Sequence, residues 1–79
     1  MNLCFVIGKI INDIEFKFII NSKHISVAIF EIELSNKSAI KVKGYDEIAD
    51  MCYQNLAKDQ IVTIYGSLNS EMEMVINEL

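Results

Sequence analysis

Residues 3–20 are dominated by Ile, Phe and Val, with Gly8 and the pair Asn12-Asp13 as the only breaks. β-Branched and aromatic residues suit a pleated surface, and a glycine inside such a run marks a bend or a close backbone approach. The run predicts one long strand that bends. In a chain of 79 residues most of what remains must pack against it, because a domain of this size buries only about 60% of the surface its unfolded chain exposes. A composition 52% hydrophobic, with no proline and 3 glycines, excludes a linker or a disordered segment. A single domain over residues 1–79 is expected, without room for a separate catalytic domain.

The rest of the chain supplies the partners of that strand. Asn21-Ser22-Lys23 carries turn chemistry. Residues 25–34 alternate in their second half, placing Ala28, Phe30, Ile32 and Leu34 on one face and Glu31 and Glu33 on the other, with Val27 and Ile29 also outward. After a turn at Ser35-Asn36-Lys37, residues 39–44 read as a third strand on which Lys41 and Lys43 point outward with Ala39. Asp46 is a candidate N-cap, and Ile48, Ala49, Met51, Cys52 and Leu56 fall at helical spacing, ending at about Ala57. Lys58-Asp59 leads into a strand over residues 60–68, and Asn69-Ser70 reads as a tight hairpin. Residues 71–79 form the last strand, with Met72, Met74 and Ile76 inward against Glu71, Glu73 and Val75. Most of Phe5, Phe16, Phe18 and Phe30 are assigned to the core, and Tyr53 to helix packing.

This is an all-β order with one helix. It fits a five-stranded Greek-key OB-fold barrel, the helix plugging its end between strands 3 and 4. Small barrels of the SH3 type seldom hold an amphipathic helix of this length at that point.

Three blocks of the sequence resemble the bacterial single-stranded-DNA-binding proteins, OB-fold proteins that coat unwound DNA. The first is Phe5-Val6-Ile7-Gly8-Lys9-Ile10 with Asp13-Ile14-Glu15-Phe16, and the second Val27-Ala28-Ile29-Phe30-Glu31-Ile32. The third begins Gly44-Tyr45-Asp46-Glu47-Ile48-Ala49 and continues from Asn55 through Gly66-Ser67-Leu68. The resemblance implies non-catalytic binding of single-stranded DNA, a place in DNA replication and repair, and association into a homodimer or higher homo-oligomer through the first strand. Edge-strand physics points to the same association. The positions where the family stacks bases near the entry and end of the third strand are similar in place to Lys37 and Lys43. The family's long basic hairpin between strands 4 and 5 is reduced to Asn69-Ser70, and a shortened form without the acidic tail is expected.

Single-strand binding needs cations for phosphates and π-faces for bases. The candidates are Lys9, Lys17, Lys37, Lys41 and Lys43 on the outer face of strands 1 to 3, with Tyr45 and Tyr65 beside glycines at strand ends. Eleven acidic residues against seven lysines give a net charge of −4 with no arginine, which weighs against a nucleic-acid partner. Glu31 and Glu33 would repel phosphate unless a lysine lies across from them. An OB-fold protein-interaction module that has lost nucleic-acid binding is therefore the alternative, with a protein partner.

Chemistry of other kinds finds no constellation. His24 stands in a turn with no second ligand at metal spacing, Asp46 and Glu47 have no nucleophile beside them, and Cys4 and Cys52 match no metal or redox motif. No catalytic residue, metal or cofactor is expected. No run reaches the roughly 20 apolar residues of a membrane span, and a cytoplasmic location with reduced thiols is expected.

Overall fold

In the computed structural model, which describes residues 3–20 and 23–79, the apolar run at the start folds as two strands, β1 (Leu3–Ile10) and β2 (Glu15–Phe18). Of the turn expected at Asn21-Ser22-Lys23, the first two residues lie outside the described ones. Asn12 makes the break between β1 and β2. Its side-chain oxygen accepts the Glu31 N–H at 2.9 Å and its amide donates to Glu31 Oε1 at 3.0 Å, while the Ile11 N–H donates to the Glu31 carbonyl at 3.0 Å. The side chain stands in for a ladder partner, so the chain turns without leaving the Glu31 amide unpaired.

The remaining elements are β3 (Ser26–Glu33), β4 (Ala39–Tyr45), α1 (Glu47–Asn55), β5 (Ile61–Leu68) and β6 (Met74–Glu78). The protein is mostly β with one helix. Its six-stranded sheet has the order β1-β5-β6-β4-β3-β2, and β1 also meets β3 through Lys9–Glu33 and Ile10–Ile32. Every pairing is antiparallel except β4–β6, which is parallel. Gly8 permits the passage of β1 from β5 to β3: a Cβ there would lie 2.7 Å from the Glu33 carbonyl oxygen. Gly66 sits at the irregularity where the β5–β6 register shifts, and a Cβ on it would collide with the Val75 carbonyl.

Phe30, Ile10, Ile32, Ile64, Met74 and Val42 form the buried centre, over which α1 lays Ala49 and Cys52. Burial pushes the Cys52 thiol up to about 11, so it stays protonated, and both cysteines are free.

The structure corrects several expectations. Phe5 is 60% exposed because β1 is apolar on both faces and its core side is taken by Cys4, Val6, Gly8 and Ile10, and Phe18, the last residue of β2, is 77% exposed. Val27, expected outward, is buried, flanked in register by Lys17 on β2 and Tyr45 on β4. The helix stops at Asn55, where Leu56 turns extended. The tight hairpin is a longer turn in which the Asn69 N–H donates to the Glu73 carbonyl and the Met72 N–H to the Asn69 carbonyl. With Met72 at φ 61 and exposed, β6 starts only at Met74, which takes Met72 out of the core.

Because the atom a Gly66 Cβ would strike is backbone, relief requires opening the β5–β6 ladder. Gly66→Ala is expected to lower the melting temperature followed by circular dichroism by at least about 5 °C, the shift that about 1 kcal/mol produces in a domain of this size.

Candidate nucleic-acid interface

Alternation along β4 turns Ile40, Val42 and Gly44 toward the core and Ala39, Lys41, Lys43 and Tyr45 toward solvent. The register then assembles an outer surface in rows. Lys9, Glu33 and Ala39 form one row, and Glu31 and Lys41 the next. Glu15, Ile29, Lys43 and Val75 follow, then Lys17, Val27 and Tyr45. The condition set by the sequence, a lysine across from each carboxylate of β3, is met: Glu31 faces Lys41 and Glu33 faces Lys9.

Of the seven residues singled out from the sequence, Lys9, Lys17, Lys41, Lys43 and Tyr45 share this surface. Lys37, with φ 71 in the β3–β4 turn, lines with Lys9 and Glu33 a groove of about 360 Å³ at its hairpin end. Tyr65 lies elsewhere. It stands across from Phe5 in the β1–β5 ladder, ring centroids 5.8 Å apart, on an exposed apolar surface with Leu3, Ile7 and Ile61.

Carboxylates reach most of these cations. Lys17 Nζ lies 3.4 Å from Glu15. Glu73, only 9% exposed, has one oxygen 3.1 Å from Lys43 Nζ and the other 4.0 Å from Lys41 Nζ. Asn69 fixes it there: its Nδ2 donates to Glu73 Oε1 at 2.9 Å, and its Oδ1 accepts the N–H groups of Glu71 and Glu73 at 2.9 and 3.0 Å. The Asn69 hydrogen bond, and after it the Lys43 ammonium, hold the Glu73 carboxyl below its ordinary range. The hydrogen bond that Lys43 donates to Glu73 raises Lys43 against the opposing effect of its desolvation. Glu73, expected outward, is buried, and nothing local marked the two lysines as its partners, because they meet only through the parallel β4–β6 pairing.

Tyr45 is positioned by a second cluster. The His24 ring stacks on it at 4.3 Å and 21°, and His24 Nδ1 lies 2.8 Å from Asp46 Oδ2. An ionised carboxylate only accepts, so Nδ1 carries the hydrogen. Asp46 occupies the N-cap position, yet its side chain makes no cap bond there. It accepts the Ile25 N–H at 2.6 Å and the Ser26 N–H at 3.4 Å instead, and its own N–H donates to the Ser26 carbonyl at 3.0 Å. These contacts staple the start of β3 to the start of α1 and hold Asp46 at φ 57, a conformation a non-glycine residue keeps only when its surroundings fix it. The His24 hydrogen bond, then the one from Ile25, lower the Asp46 carboxyl.

The class of structure is thus a small, mostly β domain of OB type, with a mixed-charge strand face and a separate apolar one. The crystal structure of the SSB domain of a protein from Synechococcus sp. has this fold, with a TM-score of 0.87 and 19% sequence identity over 99% of this chain and 92% of that one. The chain matches no family model and no curated protein. Among the described residues no His, Cys, Asp or Glu group of three or more is arranged to hold a metal, and no helix is long and apolar enough to cross a membrane.

A carboxylate whose native pKa is depressed contributes stability above its unfolded value, about 4, and loses it as pH falls through the native value. Asp46 and Glu73 both shift this way. The melting temperature is expected to hold from neutral pH to about pH 5 and to drop below about pH 4. Asp46→Asn should lower it at neutral pH and flatten the acid limb; a variant with the acid limb of the parent would show that Asp46 is not among the groups that titrate.

Proposed function

We propose that this protein binds single-stranded DNA, without catalysis, across the outer surface of β3 and β4. The observation that carries the reading is the alternation of Lys41, Lys43 and Tyr45 on the solvent side of β4, in a chain with the fold of an SSB domain. Lysines two residues apart on one strand face suit successive phosphates, and an aromatic ring at the end of the row suits a base. Lys9, Lys17 and Lys37 extend the cationic track, and Tyr65 takes no part in it. In this reading β1 and β2 are the halves of one bent strand in a five-stranded Greek-key barrel spanning residues 1–79. The setting is cytoplasmic, in DNA replication and repair.

The protein also assembles with itself in this reading. Among the described residues, β1 over residues 3–8 is paired on the β5 side alone, since its contact with β3 begins at Lys9, and Leu3, Phe5, Ile7, Ile61 and Tyr65 form an exposed apolar surface beside that edge. Such an edge with such a face is a template for a second copy. Light scattering after size-exclusion chromatography is expected to give a dimer or larger species, and Phe5→Glu a monomer; a parent that runs as a monomer at high micromolar concentration would defeat the assembly.

A protein-binding module is the second reading. It is favoured by the pairing of Lys17, Lys41 and Lys43 with Glu15 and Glu73 and by Phe18 and Ile25, which are exposed beside Asp46, Glu47 and Asp50. Fluorescence anisotropy of a labelled oligothymidylate separates the two. Single-strand binding predicts saturable association that weakens with salt and is lost in the Lys41→Ala/Lys43→Ala double variant. Absence of binding at low salt would select the protein partner.

A further inference from the structure

We infer that Glu73 is a built-in competitor for the nucleic-acid phosphate, an anion carried by the turn at residues 69–73 that occupies the Lys41–Lys43 site of the free protein. The inference rests on the single-strand-binding reading above and concerns how that site is regulated.

The geometry points this way at three places. One carboxylate spans two ammonium groups, 3.1 Å from Lys43 and 4.0 Å from Lys41, which is the arrangement a phosphodiester bridging the same pair would adopt. The carboxylate is also preorganised. An ordinary surface ion pair contributes little, because two long side chains must be ordered to form it. Here the acid side chain is only 11% exposed and is already fixed by Asn69 through both its carboxylate and its backbone N–H. Finally, it stands outside the ladder. Glu73 precedes the first residue of β6, so the lysines could exchange it for phosphate without any strand pairing being broken.

Glu73→Gln tests the charge and leaves the shape. The amide oxygen can still accept from Asn69 and Lys43, so the turn keeps its hydrogen bonds while the competing anion is gone. Binding to labelled oligothymidylate at low salt is expected to tighten by about three- to tenfold. The dependence of log affinity on log salt should steepen by up to about 0.7, for the one phosphate that takes the place of the carboxylate. Glu73→Asp, which keeps the charge but withdraws it by one methylene, should fall between the two. In the Lys41→Ala/Lys43→Ala background the gain should vanish.

If the parent binds through the two lysines and Glu73→Gln matches it in affinity and salt slope, the competitor role is overturned and the binding reading stands. If neither parent nor variant binds at low salt, the binding reading falls and the competitor falls with it. Circular dichroism establishes that the variants fold; should Glu73→Gln fail to, Glu73→Asp decides, and parental affinity in it overturns the inference.

Discussion

The architecture depends on the exchange of hydrogen bonds between Asn12 and Glu31. One stretch of chain has to pair with β5 over most of β1, touch β3 at its end, and then supply β2 on the same edge of β3. A continuous ladder cannot make that turn. Leaving the Glu31 N–H without a partner in a half-buried strand would cost about 1–3 kcal/mol, a sizeable share of the stability a small domain has. Asn12 supplies the acceptor from its side chain. Its amide then holds the Glu31 carboxylate, which lies on the outer surface in register with Lys41. The bend and the charge pattern of the strand face are joined in one residue pair.

That charge pattern is balanced rather than basic. On the rows formed by β1 to β4 and the approach to β6, Lys9, Lys17, Lys41 and Lys43 meet Glu15, Glu31, Glu33 and Glu73. Long-range attraction of a polyanion needs an excess of one sign, and this surface has none. In the proposed binding, attraction for phosphate depends on local rearrangement of individual pairs. The apolar surface of β1 and β5 has the opposite character, with charge only at its borders, Lys9 at one end and Glu78 of β6 beside Tyr65.

Legibility in the sequence followed the range of the interactions. The break at Asn12-Asp13, the inward set of Ala28, Phe30 and Ile32, the outward pair Lys41 and Lys43, and the helix between the third and fourth strands of the OB order all rest on neighbours within a few residues. Phe5 went to the wrong side because Ile, Phe and Val occupy both parities of the first run, so alternation gave no direction, whereas Phe18 shares the face of Phe16 and is exposed at the end of β2. Asp46 looked like an ordinary helix cap; its real partners, Ile25 and His24, lie more than twenty positions away. Glu73 escaped notice for the same reason. Its contact with Lys43 is created by a parallel pairing between distant strands and by a turn longer than Asn69-Ser70 suggested.

The parallel pairing of β4 with β6 has a consequence for how such a surface can diverge. The residues that set the sign of the β4 face are divided between a strand, which is committed to the core through Val42 and Gly44, and a turn, which is not. Substitutions at residues 69–73 can alter the charge of that face while the ladder and the packing around Phe30 stay as they are. The sign of the face is in this respect separable from the packing of the core, though not from the stability that the ionised Glu73 contributes, and a lineage of such domains could shift from one class of partner to another through a handful of turn residues.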